Sequence, residues 1–225
     1  MKDGEGTRIA RDFLDRTLAG LAKRSLRYFE LTGEHVFAYG ERPIHSVLFP
    51  AILDISDAAL AELPVTRKPR GGAKSSGRVD YWISFRDTII LLEVKHAFHA
   101  VRTGRLPEWA RDFWTRVVQQ AKSVRTNEIR DQALRYRKDK LLAIGLLVVP
   151  TWRSSNRPAK EVPERKEAEI VTDHKNILDS MGGSDPHWAA CWVVQKSKRI
   201  ETYGSRKHEV HDGVNCFAFV RQIRR

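Results

Sequence analysis

Residues 77 to 98 read GRVDYWISFRDTIILLEVKHAF, two apolar runs rich in β-branched and aromatic residues around a polar Arg86-Asp87. Runs of this kind form strands, and two so close together form an antiparallel hairpin. The segment restricts the fold more than any other. A hairpin this apolar needs cover on its faces and cannot be left as a bare edge. Strand side chains alternate. Glu93 and Lys95 therefore share one face, opposite Ile90, Leu92 and Val94. Asp80 and Trp82 share another, opposite Val79, Tyr81, Ile83 and Phe85. A two- or four-residue turn centred on Arg86 and Asp87 sets Asp80 across from Glu93 and Arg78 across from Lys95, whereas an odd-length turn slips that register.

Two carboxylates placed opposite each other repel, and charges in apolar strands are costly unless neutralised. A divalent cation removes the conflict, because hard oxygen ligands so spaced suit Mg²⁺, with Mn²⁺ able to substitute. Lys95, two residues along on the face of Glu93, is positioned to stabilise charge developing on a phosphate or to orient water. Metal and lysine beside two carboxylates form a device for phosphodiester hydrolysis. The plain alternative is a surface ion pair on an edge hairpin, and ILLEV is too apolar for an exposed edge.

The 225 residues carry 40 Lys and Arg against 28 Asp and Glu, a net charge of +12. That surplus favours a polyanion or an acidic membrane surface as partner. No stretch approaches the ~18 apolar residues of a membrane span, and MKDGEGTRIARDF has no apolar signal region. A cytoplasmic protein with no membrane partner is expected. Cys191 and Cys216 lie in apolar, strand-like sequence and read as buried free thiols.

Periodicity predicts a basic amphipathic helix over 7–29, with Ile9, Phe13, Leu14, Leu18, Leu21 and Leu26 on one side. A second helix begins near Glu41 and Pro43, with Pro50 expected to kink or shorten it. Residues 62–76 read as a short strand running into a Gly-rich basic loop. LPEWARDFWTRVVQQAKSVR is the clearest helix, its stripe including Trp109, Phe113, Trp114 and Val117. TNEIRDQALRYRKDK continues it or forms another helix. LLAIGLLVVPTW is a strand covered on both faces, 163–181 a charged helix closed by Gly182 and Gly183, and HWAACWVVQ and VNCFAFVRQI two late strands. This order gives an α/β domain with a mixed sheet.

Asp80, followed after twelve residues by Glu93-Val94-Lys95, resembles the signature of the PD-(D/E)XK nuclease superfamily, with Val79 where the motif name has proline. The resemblance implies a restriction-endonuclease-like mixed sheet flanked by helices, with a helix–strand–strand–strand–helix–strand core. It places strand one near 63–68, the motif on strands two and three, and strand four at 141–150. The whole chain, 1–225, is then one nuclease domain, with an N-terminal helical extension at 1–35, a catalytic core at 36–150, and a helix and strands at 151–225 completing the sheet. It implies that Asp80, Glu93 and the backbone carbonyl of Val94 bind metal and that Lys95 is the electrostatic catalyst. Glu41 is the best match for an added carboxylate, with Glu34 or Glu30 as substitutes. A supporting glutamine is expected on the helix after strand three. Gln119 or Gln120 fits, and so does Gln132 with Tyr136 in a Q-x-x-x-Y pattern.

Arg67, Lys68, Arg70, Lys74 and Arg78 lead directly into Asp80 and read either as a solvated loop or as an arm on nucleic-acid phosphates. His96 and His99 read as ordinary histidines, His208 and His211 as loop residues, and Trp109 and Trp114 as packing. The expected activity is Mg²⁺-dependent cleavage of DNA, in the manner of an endonuclease. The alternatives are an RNA substrate or a non-catalytic nucleic-acid-binding module. A homodimer is compatible with the sequence and is not indicated by it.

Overall fold

The computed structural model describes residues 5–67, 75–124, 140–158, 161–194, 197, 199–203 and 207–223. Lys68, Arg70, Lys74, Gln132 and Tyr136 lie outside the described residues, as does the stretch read as a continued or further helix at 126–139.

An eight-stranded mixed sheet forms the centre, flanked by four described α-helices. Helix α1 (Glu5–Thr32) and helix α2 (Glu41–Leu53) are joined through a 3-10 turn at Val36–Tyr39. Strands β1 (Ala58–Arg67), β2 (Ser75–Phe85), β3 (Thr88–His96) and the short β4 (His99–Ala100) follow. Helix α3 (Glu108–Ser123), strand β5 (Lys140–Ser155) and helix α4 (Glu167–Ser180) precede β6 (Trp188–Val193), β7 (Ile200–Tyr203) and β8 (Lys207–Gln222). The strand order is β1-β2-β3-β5-β8-β6, with β4 on β5 and β7 on β8. β5 runs parallel to β3 and to the short β4, with α3 on the connection, and the remaining strand pairs are antiparallel.

Alternation along the central strands divides the core into two layers. Tyr81, Ile83, Phe85, Ile90, Leu92, Val94, Leu142, Ile144, Leu146 and Val148 face α1 and α2. Trp82, Ile89, Leu91, Leu141, Ala143, Leu147 and Val149 face α3 and α4. The α1 residues Phe13, Leu14 and Leu21 are buried there as the periodicity predicted. α1 crosses α2 closely, since a Cβ on Gly20 would lie 2.9 Å from Cβ of Ala51. On the other face, a Cβ on Gly145 would lie 2.7 Å from the carbonyl oxygen of Val117. Glycine at 145 lets α3 settle directly onto β5.

Four expectations change. α2 runs through Pro50 to Leu53 without stopping. Strand one is longer than 63–68, beginning at Ala58. The segment holding His208 and His211 is strand, because β8 starts at Lys207, and β7 pairs with it. Trp109 is not a core residue: it is 45% exposed, while Trp114 is fully buried. Cys191 and Cys216 are free thiols, Cys216 buried and Cys191 half-buried.

Candidate active site

The β2–β3 ladder runs from Phe85↔Thr88 to Tyr81↔Leu92, the register that a tight turn at Arg86-Asp87 demands. Arg86 takes a left-handed φ of 54° to make that turn. Its guanidinium is held by Asp12 at 2.8 Å and lies 5.1 Å from the Phe85 ring centre. Asp80 and Glu93 are the next positions along, and there the paired ladder stops. Oδ2 of Asp80 accepts the backbone N–H of Val94 at 2.7 Å. A side chain thus takes up the main-chain donor at the point where the strands part.

Alternation breaks at the same place. Val79 packs in the α3 layer although Tyr81, two residues on, packs in the α1–α2 layer. Across β1, Ala61↔Tyr81 and Leu63↔Val79 are paired, and Glu62 between them has a left-handed φ of 59°. A non-glycine residue in that region costs of order 1–3 kcal/mol, and such strain gathers at functional sites.

Lys95 closes the cluster. Its Nζ donates to Oε1 of Glu41 at 2.8 Å and to the carbonyl of Val94 at 3.0 Å. Glu41 opens α2, so the helix N-terminus delivers it to the end of β3. Glu34 and Glu30 are engaged elsewhere, with the hydroxyl of Tyr39 and with Arg27 at 3.7 Å. Burial raises the pKa of Asp80 above the ordinary aspartate value, and the Val94 N–H and the charge of Lys95 oppose that rise. Lys95, His45 and Glu41 all act on it electrostatically. His45 was not anticipated. It lies one helical turn after Glu41, a spacing legible in the sequence, and its Nδ1 bonds the hydroxyl of Tyr81. Burial raises the Tyr81 phenol.

Glu93 is 2% exposed. Alternation puts it on the α3 face with Ile89 and Leu91, and it pairs in register with Gly145. Gln120 is half-buried on α3 and Gln119 is exposed. Arg78 is exposed and ion-paired with Glu62 at 3.4 Å, and Arg67 ends β1. His96 is a core histidine, as expected. It donates to the carbonyl of Phe37, and burial lowers its pKa to about 4. Burial also lowers the pKa of His99.

Glu41 and the Val94 carbonyl hold the Lys95 ammonium, and the Asp80 carboxylate lies near enough to feel its charge. Carboxylate and carbonyl oxygens of this kind also suit a hard divalent cation. Among the described residues, however, one set of three potential metal ligands has all its ligand atoms within 4.8 Å of one another, and it is Glu201, Glu209 and His211. That buried set could hold a metal ion. Sequence reasoning missed it because the segment holding Glu209 and His211 is too polar to suggest a strand, so its pairing with Ile200–Tyr203, which sets Glu201 across from Glu209, was not foreseen.

Fold and site together define a mixed α/β protein whose sheet carries an acidic and lysine-bearing cluster at a strand divergence. Comparison with protein-family models, curated proteins and solved structures returned no match. No described helix is long and apolar enough to cross a membrane.

Proposed function

We propose that the protein is a metal-dependent nuclease of restriction-endonuclease-like fold that hydrolyses DNA phosphodiester bonds. The observation that carries this reading is the proximity of Asp80 to Lys95 and Glu41 where β2 and β3 separate: Asp80 accepts the Val94 N–H at 2.7 Å, Lys95 donates to Glu41 at 2.8 Å, and both charges act on Asp80. The order α2–β1–β2–β3–α3–β5, with only the two-residue β4 and a 3-10 turn between β3 and α3, supports the same fold. Asp80, Glu93 and Glu41, with the Val94 carbonyl, would hold Mg²⁺. The donor types suit such an ion, since Oδ1 of Asp80 accepts no hydrogen bond among the described residues and the oxygens of Glu41 and Val94 already surround a cation, the Lys95 ammonium. The three carboxylates do not lie with all their ligand atoms within 4.8 Å of one another, so holding the ion requires Glu93 and its partners to draw together. Such an ion supplies Lewis acidity and a bound water of lowered pKa.

The chain's own groups divide the remaining work. The Val94 N–H orients the Asp80 carboxylate. Glu41 holds the Lys95 ammonium beside it, so that a donor stands ready for charge developing on a phosphate oxygen. His45 and Tyr81 brace the α2 side of the cluster. Gln120 on α3 is the described candidate for the supporting glutamine. Arg67 and Arg78, with Lys68, Arg70 and Lys74, would track the phosphate backbone on the approach to Asp80.

A second reading, a non-catalytic nucleic-acid-binding module, is favoured by two observations. Lys95 already neutralises Glu41, and Glu93 is enclosed. The two readings separate on incubation with covalently closed and linear DNA, with Mg²⁺ or with EDTA. Nuclease activity gives Mg²⁺-dependent nicking or linearisation of closed circles, abolished by EDTA. Binding and retardation of intact DNA under both conditions overturns the nuclease reading, and cleavage of RNA alone reassigns the substrate.

A further inference from the structure

A second cluster lies on the opposite side of β5 from the hairpin, where β7 pairs with β8. Glu201 and Glu209 are directly opposed across that strand pair. Like charges so placed destabilise a ladder unless a cation joins them. The register of β8 slips against β5 between Thr151 and Trp152, which pair with Gly213 and His211 and leave Asp212 as the extra residue. The bulge reverses the alternation and turns His211 and Glu209 toward the layer containing Phe37. Asp212 is directed instead to Arg153 at 2.8 Å and Arg199 at 3.6 Å.

His211 is 1% exposed and neither ring nitrogen makes a hydrogen bond among the described residues. Its Nε2 lies 3.8 Å from Oε2 of Glu201 and 3.9 Å from Oε2 of Glu209, too long for hydrogen bonds and suited to three ligands around one ion. The backbone N–H of His35 holds the other Glu201 oxygen, Oε1, and Oε2 is the oxygen that faces His211. Glu209 and His211 also line a cavity of about 470 Å³ walled by Phe98, Pro107, Trp109 and Trp152. That volume falls in the range of small-molecule sites.

We infer that Glu201, Glu209 and His211 bind one divalent transition-metal ion of the Zn²⁺ or Mn²⁺ class, with its remaining positions open to this cavity. The imidazole selects such an ion over Mg²⁺ and Ca²⁺, which prefer all-oxygen sites. Three protein ligands leave at least one position for water or a small anionic ligand. The site is separate from the Asp80 cluster. Lys95 pairs with Leu147 and His211 with Trp152, five residues along β5, which at ~3.3 Å per residue is roughly 17 Å.

The test is titration of chelator-treated full-length protein with Co²⁺, followed by visible absorption, and with Zn²⁺, followed by calorimetry. One equivalent is expected to bind in the presence of millimolar Mg²⁺ and to raise the thermal midpoint. Glu209→Gln, at the half-exposed ligand, and His211→Gln each weaken affinity by at least about tenfold, and Asp80→Ala leaves it unchanged. Absence of binding to the wild-type chain overturns the inference even if a variant fails to fold. Binding abolished by Asp80→Ala, or unaffected by Glu209→Gln, overturns it as well.

Discussion

Asp80 is held in its position by one main-chain donor and opposed by burial. Desolvation raises its pKa, so the folded chain binds a proton there more tightly than the unfolded chain does. Stability from this group is therefore highest at low pH and falls as pH rises from the ordinary aspartate value through the raised one. Asp80→Asn keeps an oxygen for the Val94 N–H and removes the charge. Its thermal midpoint at neutral pH, measured by calorimetry in EDTA, is expected to equal or exceed that of wild type while Mg²⁺-dependent cleavage is lost. A lower midpoint would show that Lys95 and the hydrogen bond outweigh desolvation. His96 has the opposite sign. With its pKa lowered to about 4, the unfolded chain binds the extra proton first, and stability drops as pH falls from 6.5 toward 4. The full effect is roughly 3 kcal/mol. Denaturant midpoints across that window are expected to be flatter in His96→Gln, whose neutral side chain does not titrate.

Hairpin, helices and long central strand were legible at the level of the element because period-two and helical patterns are dense there. The register of the β2–β3 ladder followed from the Arg86-Asp87 turn, although the pairing ends at Tyr81↔Leu92, before Asp80 and Glu93, and Arg86 is an uncommon residue for a φ of 54°. Contacts from α1 and Phe85 compensate it, and no local rule reveals those. The start of β8 was hidden for a related reason. KHEVHD is polar in sequence, yet His208, His211 and Asp212 are buried. Asp212 is matched by arginines from elsewhere in the chain. Trp109 fell in the apolar stripe of α3 but sits in its first turn, where it walls the cavity near His211. Of the candidate site, Asp80 and Lys95 were legible in the hairpin and Glu41 through the resemblance, whereas Glu93, expected in the same cluster, is enclosed. His45 and Tyr81 needed the packing of α2 on the sheet. Gly145 is the element-scale position most sensitive to change. Gly145→Ala meets the Val117 carbonyl and is expected to destabilise the fold by about 1–3 kcal/mol in denaturant unfolding, as overpacking at a close contact does. An unchanged midpoint would mean α3 shifts freely over β5.

Charge acts on the scale of the whole molecule. A surplus of +12 draws a polyanion from any direction and does not by itself choose a site. Binding to DNA is expected to weaken as salt rises, with a linear dependence of log affinity on log salt concentration. Arg78→Ala, beside the Asp80 cluster, should lower the magnitude of that slope by about one. An unaltered slope would place the nucleic-acid track elsewhere. The nuclease proposal rests on the divergence of β2 and β3 as a phosphodiester-cleaving centre. Its most direct measurement is the Mg²⁺-dependent cleavage rate of supercoiled DNA by purified Asp80→Ala and Lys95→Ala beside wild type, with DNA affinity measured in parallel. A fall of at least about a hundredfold in both variants, with affinity within a few-fold of wild type, is the expected result. Wild-type cleavage by either folded variant would contradict it.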